Sequence, residues 1–331
     1  MNLRQNTALR GLARRLPLLR SYEERIEELT GQVEALSHAG APGVPSPVAD
    51  ASLWVPPGHF YSPFPDLEEM DRRQAEVFGR DPFDVAAVDL AVDAQAKLLD
   101  ELEPLVAGVE FPLTATDAQR AGVRYWTDNP AYGAGDALFL LAMLRHLRPP
   151  RVLELGSGYS SACTLDARDE LPAGEMEVTF VDPYPELLHS VLRPGDLDTI
   201  TVLPIGSQDL DHDAIASLQA GDVLFIDSTH VSKPGSDVNR NLFEILPALN
   251  PGVVIHLHDI FPGFEYPRSW VDEGRGWTEL YLLRAFLQYN EAFEILLWPG
   301  LMWSLAPEEF ERRFPPFALN RGGAIWLRKR F

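Results

Sequence analysis

The most constraining feature of this 331-residue sequence is an apolar stretch that runs directly into a glycine turn. Val152 to Leu155 have the composition of a short buried strand, and Gly156, Ser157 and Gly158 follow them. Residues 160–168 then have the composition of a helix. A strand, a glycine turn and a helix amino terminus together form a nucleotide-binding corner, because glycine lets the backbone approach a ligand and the helix end offers N–H groups.

Glu154 narrows the class of ligand, since a carboxylate inside an apolar strand is costly unless something requires it. A dinucleotide-binding turn has a third glycine, but Ser161 occupies that position. The pattern E-x-G-x-G of residues 154–158 resembles the first motif of the class I S-adenosylmethionine-dependent methyltransferases. In that family the turn passes under the methionine part of the cofactor, and the acid helps to hold its amino end. The resemblance implies cofactor contacts by Glu154, Gly156, Ser157, Gly158 and Ser160.

Composition bounds the other functions. The formal net charge of −21 argues against a nucleic-acid backbone as the main partner, because such binding depends on Lys and Arg. Cys163 is the only cysteine, so no disulfide can form within the chain, and a reducing, cytoplasmic location is the simpler expectation. No apolar run approaches the roughly 20 residues that are needed to span a bilayer.

The amino-terminal residues 1–36 predict a basic arm followed by a short coiled-coil helix. Residues 1–20 contain five arginines and no acid, a composition that suits weak peripheral contact with an anionic membrane surface or with another subunit. Apolar residues recur from Leu19 to Leu36 at alternating spacings of three and four, which favours a homo-oligomer. A single amphipathic helix docked on its own domain is the alternative. Residues 37–53 predict a flexible linker.

Residues 54–130 predict an ordered arm and a helical lid before the main domain. Trp54 to Asp66 are aromatic and proline-rich, and residues 84–103 have a helical pattern that Pro104 is expected to end. The main domain is predicted to span residues 131–331 and to begin with a strongly apolar helix at 135–147.

Downstream of the glycine turn, strand and helix patterns alternate. Strands are predicted at 178–181, 199–203, 223–226, 251–259, 293–298 and 324–328. In an open parallel sheet, ligands bind beyond the carboxyl ends of the strands. Counting the strand before the glycine turn, four strand ends carry acids or histidine: Glu154, Asp182, Asp227 and the pair His258 and Asp259. Four such ends together are much less expected by chance than any one alone.

The order and spacing of these motifs extend the resemblance to class I methyltransferases over residues 130–331. It is carried by E-L-G-S-G-Y-S (154–160), F-V-D (180–182), F-I-D-S-T-H (225–230) and L-N-P-G-V-V-I-H-L-H-D (249–259). The resemblance implies an α/β fold, a doubly wound Rossmann-like seven-stranded sheet whose last strand is antiparallel, here with an amino-terminal helical extension. It also implies S-adenosylmethionine as cofactor, with contacts from Asp182 to the ribose, from Gln208 and Asp209 to the adenine, and from Asp227.

Methyl transfer to a hydroxyl needs a base or a metal near the methyl group. In one constellation Asp227, His258 and Asp259 hold a divalent metal ion, although histidine suits manganese, iron or zinc better than magnesium. In the other, His230 or His258 is the base and Asp227 or Asp259 orients it. His256 is expected to face the core.

The leading interpretation is O-methylation of a sugar, a glycoside or another small-molecule hydroxyl. The alternatives are an NAD(P)-dependent oxidoreductase on a similar sheet, a non-catalytic cofactor-binding or scaffold protein, and a different reaction such as hydroxylation on the same fold.

Overall fold

The computed structural model describes residues 53–331, of which residues 57–331 form one compact unit. The predicted basic arm and coiled coil of residues 1–36, and all but the last residue of the 37–53 linker, lie outside the described residues. Within residues 53–331, none of the helices is both long enough and apolar enough to cross a membrane.

A seven-stranded sheet forms the centre of the described chain, and it confirms the predicted fold class. Its strands are β1 (Arg151–Leu155), β2 (Glu177–Val181), β3 (Thr201–Leu203), β4 (Val223–Ile226), β5 (Val254–His258), β6 (Phe293–Leu297) and β7 (Ala324–Lys329). Their order across the sheet is β3-β2-β1-β4-β5-β7-β6. The strands from β3 to β5 pair in parallel, whereas β7 runs antiparallel between β5 and β6. The prediction that the last strand is antiparallel is therefore confirmed.

Helices cover both faces of the sheet, and each face has its own apolar core. The helices within residues 53–331 are α1 (Leu67–Arg72), α2 (Gln74–Val77), α3 (Val92–Val106), α4 (Ala115–Ala121), α5 (Ala134–Leu147), α6 (Tyr159–Arg168), α7 (Glu186–Val191), α8 (His212–Ala216), α9 (Asp237–Arg240), α10 (Leu246–Ala248), α11 (Arg268–Asp272), α12 (Glu279–Leu287), α13 (Pro299–Leu305), α14 (Pro307–Arg313) and α15 (Pro315–Leu319).

The alternation of side chains along the central strands separates the two cores. Val152 and Phe225 face one of them, whereas Leu153 and Leu224 face the other. Both faces of β4 are buried, which is why these strands read as continuous apolar runs. The carboxyl ends of β1, β2, β4 and β5 consequently meet at one edge of the sheet, where the sequence places its acids and histidines.

Helix α3 departs from its predicted bounds. Helix α3 begins at Val92 rather than residue 84 and continues through Pro104 to Val106. Pro104 has no N–H to donate to the carbonyl four residues before it, and the packing of Leu102 and Val106 in the apolar core offsets the lost hydrogen bond. Between α9 and α10 the helix widens into a π turn, Asn241–Ile245. Such turns are rare and often lie beside functional sites.

Candidate active site

Gly156 joins the end of β1 to the end of β4. Its φ of +85° is left-handed, and a Cβ at this position would collide with the backbone carbonyl of Asp227. The Gly156 N–H donates to the carbonyl of Val181 (2.9 Å), and the Asp227 N–H donates to that of Leu155 (2.9 Å). The glycine turn is thus packed directly against the first residue after β4.

Glu154 is placed differently from the expectation that it meets a cofactor. The carboxylate is completely buried and faces the helix that follows the turn. Its Oε1 accepts hydrogen bonds from the hydroxyls of Ser160 and Ser161, each at 2.7 Å, and Thr164 approaches Oε2 at 3.4 Å. Burial raises the pKa of Glu154 to about 8 in spite of the hydroxyls, so this carboxyl is largely protonated at neutral pH.

Ser161, which departs from the dinucleotide pattern, has a structural role in the turn. Its hydroxyl accepts a hydrogen bond from the Gly158 N–H (2.9 Å) while it donates to Glu154. One hydroxyl therefore links the turn to the strand. Neither Ser161 nor Thr164 was predicted to contact Glu154, although their spacing of three residues places both on one face of α6. We call residues 154–161 the glycine corner.

Asp182 lies where the sequence places it, against the glycine corner. Its Oδ2 accepts from the Ser157 N–H (2.8 Å) and hydroxyl (2.9 Å), and its Oδ1 accepts from the Tyr184 N–H (2.8 Å). The side chain is half-buried, and helix α7 begins only at Glu186, so Asp182 is not its cap. Because each carboxylate oxygen has two lone pairs, Oδ1 can still accept a hydrogen bond from a ligand.

Gln208 and Asp209 lie in a short 3₁₀ turn, Ser207–Asp209, beyond the end of β3, and both are exposed. The neighbouring Ser207 hydroxyl is buried without a hydrogen-bond partner among the described residues. The loop therefore presents polar groups at the same edge of the sheet as Asp182.

The carboxyl ends of β4 and β5 bring together a second group of side chains. His230 Nε2 lies 3.3 Å from Asp227 Oδ1 and 3.5 Å from Asp259 Oδ2. One ligand atom from each of the three residues lies within 4.8 Å of the others, an arrangement that could hold a metal ion. His230 and Asp259 both have left-handed φ angles, 59° and 57°. Such strain is concentrated at functional sites. We call Asp227, His230 and Asp259 the strand-end cluster.

Glu279 is a functional candidate that the sequence analysis missed. Its Oε2 lies 2.8 Å from His230 Nδ1, and the side chain is only 1% exposed. It is the first residue of α12, and carboxylates are common at the start of a helix because of the helix dipole. Nothing in that pattern pointed to a histidine 49 residues away.

The cluster is strongly polarised. Burial opposes the charge of His230, but hydrogen bonds to Asp227 and Glu279 outweigh it and hold the pKa of His230 well above 6.5. Burial likewise opposes the charge of Asp227, yet the nearby His258 and His230 lower its pKa to about 2. Burial raises the pKa of Asp259. The imidazole of His230 is therefore protonated at neutral pH unless another cation replaces the proton.

His258 occupies a different position from the one that the predicted metal constellation gives it. Its Nε2 lies 3.7 Å from Asp259 Oδ1 and 4.0 Å from Asp136 Oδ2, and its ring stacks on Tyr132 with 5.1 Å between centroids. His230, not His258, shares a ligand group with Asp227 and Asp259, because its loop folds back over the ends of β4 and β5. Carboxylates also raise the pKa of His258 against the effect of burial.

Asp136 was also missed by the sequence analysis, because it reads as an acid in the first turn of the apolar helix α5. It is buried, accepts a hydrogen bond from the Gly323 N–H (3.1 Å), and faces His258. Burial raises its pKa to about 7. His256, by contrast, faces the core as expected: it is stacked on Phe225 at 4.0 Å, and burial holds its pKa well below 6.5.

An aromatic wall borders the strand-end cluster. The ring of Trp277 lies 4.4 Å from the imidazole of His230, and Trp270 meets Trp277 edge-on at 5.0 Å. The guanidinium of Arg275 lies 4.1 Å above Trp270. Phe64, from the predicted arm, packs against Gly276, the residue before Trp277. A Cβ added at Gly276 would lie only 2.8 Å from the ring of Phe64. Part of the arm therefore reaches the rim of the site.

Comparison with known families and sequences supports the motifs. Residues 153–260 match a family model described as a methyltransferase domain, which confirms the resemblance on the stretch that contains both the glycine corner and the strand-end residues Asp227 and Asp259. A protein of Archaeoglobus fulgidus, named only as uncharacterized, is 34% identical over 143 residues. The match covers 43% of this chain and 62% of that relative, less than two thirds of its length.

Several solved structures are similar in fold at low identity. They include the S-adenosylhomocysteine-bound methyltransferase PaMTH1 of Podospora anserina (15% identity, 85% of this chain, 100% of that chain, TM-score 0.41). Another is the O-methyltransferase TomG of Streptomyces achromogenes in complex with S-adenosylmethionine (15% identity, 72% of this chain, 99% of that chain, TM-score 0.41). A third is a putative O-methyltransferase of Klebsiella pneumoniae (17% identity, 71% of this chain, 90% of that chain, TM-score 0.36). These identities and scores are too low to carry any property over to this chain.

Proposed function

We propose that this protein is an S-adenosylmethionine-dependent methyltransferase that methylates a hydroxyl of a sugar, a glycoside or another small molecule. The observation that carries the proposal is the close packing of Gly156 against the backbone of Asp227. It places a nucleotide-binding corner beside a cluster of charged groups suited to activating a hydroxyl. The two parts that such a reaction needs are therefore neighbours on one edge of the sheet.

The residues around the glycine corner fit the cofactor in two respects. Asp182 is fixed by Ser157 and Tyr184 and keeps acceptor capacity, which suits the hydroxyls of a ribose. The Ser207 hydroxyl, which has no hydrogen-bond partner within residues 53–331, and the exposed Gln208 lie in the next loop, where adenine is expected. Glu154, which is fully enclosed, would support the turn through α6 rather than touch the cofactor.

The strand-end cluster fits a divalent metal ion. Two carboxylates and an imidazole nitrogen converge on one point, and the mixed donor set suits manganese, iron or zinc better than magnesium. A divalent ion bound there would lower the pKa of a hydroxyl that touches it. Asp227 and Asp259 would hold it through oxygen and His230 through Nε2, so the proposed ligand set has His230 in place of His258.

The electrostatics favour this arrangement over a histidine base. S-adenosylmethionine supplies an activated methyl group, so a hydroxyl acceptor needs only position and the loss of its proton. A general base must be unprotonated, yet the carboxylates hold the pKa of both His230 and His258 above the usual value. Asp259, with its raised pKa, is the stronger base of the two cluster carboxylates.

The aromatic wall supports a saccharide acceptor. Trp270 and Trp277 are each only partly buried, and Arg275 extends beside them. An aromatic face beside charged groups suits a ring with an apolar face and a hydroxylated edge. The proposal includes a cytoplasmic homo-oligomer that does not bind nucleic acid, as the composition and the heptad pattern of residues 19–36 predict.

The proposal is tested by calorimetric titration with S-adenosylhomocysteine, with NADH as the comparator. We expect selective binding of S-adenosylhomocysteine, weakened roughly 10- to 100-fold in Asp182→Asn, because a hydrogen bond to a charged group contributes about 1.5–3 kcal/mol. Asp211→Asn is the matched control, since Asp211 also accepts from an N–H two residues ahead (3.0 Å) but caps α8.

Binding of NADH instead would overturn the methyltransferase proposal in favour of an oxidoreductase. EDTA treatment adds a second readout. We expect it to leave S-adenosylhomocysteine binding unchanged and to abolish methyl transfer to saccharide acceptors, with recovery on addition of Mn²⁺. Full transfer activity in EDTA would remove the metal from the proposal.

A further inference from the structure

His230 is fixed by one short segment, residues 277–279, which leads into α12. The N–H groups of Thr278 and Glu279 both donate to the His230 carbonyl, at 2.9 and 3.1 Å. The Glu279 carboxylate meets the imidazole Nδ1 at 2.8 Å, and the ring of Trp277 covers the imidazole. These contacts hold the backbone of His230 at its left-handed φ of 59°. The segment therefore determines where the other ring nitrogen points.

The contact with Glu279 assigns the hydrogen of Nδ1. The ionised carboxylate of Glu279 accepts that hydrogen, so Nδ1 carries one whether or not Nε2 is also protonated. Nε2 is then left facing Asp227 and Asp259, 3.3 and 3.5 Å away. Histidines that ligate a metal usually donate their other N–H to a carboxylate in the same way, which fixes the tautomer and the ring orientation.

We propose that Glu279 is a positioning residue that commits His230 Nε2 to metal binding rather than to proton transfer. The inference rests on the metal-dependent methyl transfer proposed above. Glu279 touches none of the reacting groups and acts only through His230. It extends the site from three residues at the ends of β4 and β5 to a fourth on a separate helix.

The burial of Glu279 supports the inference independently, because burying a carboxylate is unfavourable. Its side chain is 1% exposed, and its second oxygen, Oε1, has no hydrogen-bond partner among the described residues. The next residue, Leu280, belongs to the apolar core beneath α12. An apolar residue in place of Glu279 would pack there without the free-energy cost of burying a carboxylate. The start of the helix offsets part of the cost. The remaining explanation is the hydrogen bond to His230.

The test compares Mn²⁺ binding by the full-length protein and its Glu279→Gln and Glu279→Ala variants, followed by the paramagnetic resonance signal of the free ion. Glutamine keeps the shape of the side chain but removes its charge. We expect binding about 10-fold weaker in Glu279→Gln and up to about 100-fold weaker in Glu279→Ala. Binding of S-adenosylhomocysteine, measured on the same samples, should stay within about twofold of wild type.

Glu265→Gln is the matched control. Glu265 also binds α12, through the Tyr281 hydroxyl, but lies outside the strand-end cluster. We expect its Mn²⁺ affinity to equal that of wild type. Equal loss of Mn²⁺ and S-adenosylhomocysteine binding in the Glu279 variants would indicate a general packing role and overturn the inference.

Unchanged Mn²⁺ affinity in Glu279→Gln would also overturn the inference, and this variant serves even if Glu279→Ala does not fold. If wild type binds no Mn²⁺, the role of Glu279 fails together with the metal. The S-adenosylhomocysteine titration then decides separately whether the methyltransferase proposal stands.

Discussion

The glycine corner and the strand-end cluster occupy neighbouring strand ends of one sheet, yet they satisfy their polar groups in opposite ways. At the corner, Glu154 faces three hydroxyl groups, and the adjoining Asp182 accepts three hydrogen bonds. In the cluster, the described residues supply no backbone N–H to the carboxylates of Asp227 or Asp259; their neighbours are the nitrogens of histidines. The polar side chains at the corner are held by hydrogen bonds within the protein, whereas the cluster gathers charge that a cation would balance.

This difference indicates that the corner mainly stabilises the fold, whereas the cluster mainly serves the reaction. A satisfied hydrogen-bond network holds one geometry. Crowded carboxylates and two left-handed residues are costly on their own and are retained at sites where they serve a function. We therefore expect substitutions that break the packing or the hydrogen bonds of the corner to reduce stability, and substitutions in the cluster to reduce function at little cost in stability.

The largest expected effect is at the contact between the two regions. Gly156→Ala should lose about 4 kcal/mol or more of unfolding free energy, because its Cβ would meet the Asp227 carbonyl. Gly174→Ala is the control: it has the same φ of +85° but open space around the added Cβ, so about 1–2 kcal/mol is expected from backbone strain alone. Denaturant unfolding checks both. Similar losses would show that the two regions are not tightly packed.

A second prediction concerns how the stability of the corner depends on pH through Glu154. The pKa of Glu154 is raised from 4.5 to about 8, so the folded state binds this proton more tightly than the unfolded state. Its ionisation therefore costs stability progressively as pH rises from about 4.5 to 8, and the full cost is present above that range. Glu154→Gln avoids the cost.

We expect the stability advantage of Glu154→Gln over wild type to grow with pH and to reach about 3–5 kcal/mol at pH 9. Urea unfolding at pH 5, 7 and 9 measures it. Glu170→Gln, an exposed glutamate near the end of α6 that pairs with Arg145, controls for the substitution itself. A difference between Glu154→Gln and wild type that does not change with pH would mean that the buried carboxyl is ionised throughout.

The smallest expected effects compare one residue from each region. Ser161→Ala removes the acceptor for Gly158 and a donor to Glu154, and should lose about 1–3 kcal/mol. Asp259→Asn should stay within about 0.5 kcal/mol of metal-free wild type or exceed it, since asparagine tolerates the left-handed φ and removes a buried charge. The same variant should lose Mn²⁺ binding. Thermal unfolding that ranks the two in the opposite order would break the comparison.

The fold could be predicted well because its signals are local. Each of the seven strands is an apolar run bounded by turn residues, and all seven predicted strands are present within a few residues of their expected ends. The exception among the helices is α3, where Pro104 was expected to end a helix that continues to Val106. A terminal turn tolerates proline when its residues pack well, and packing is not visible in a local pattern.

The candidate site could be predicted only in part. Parallel strands bring their carboxyl ends to one edge, so Asp182, Asp227 and Asp259 were found from their positions after strands. The sequence did not show whether His230 or His258 joins Asp227 and Asp259, because this depends on how the loop after β4 folds. Glu279 and Asp136 were missed since each reads as an ordinary acid at the start of a helix.

The sequence by itself determined which strand ends carry acids and histidines: an acid near the end of β1 with a glycine turn after it, an acid after β2, and acids and histidines at or after the ends of β4 and β5. These follow from residue type and short-range periodicity. Only the tertiary structure decided that Glu154 turns inward to three hydroxyls and that His230 joins Asp227, Asp259 and Glu279. Those contacts depend on side-chain direction and on packing between segments up to 49 residues apart, which no local pattern encodes.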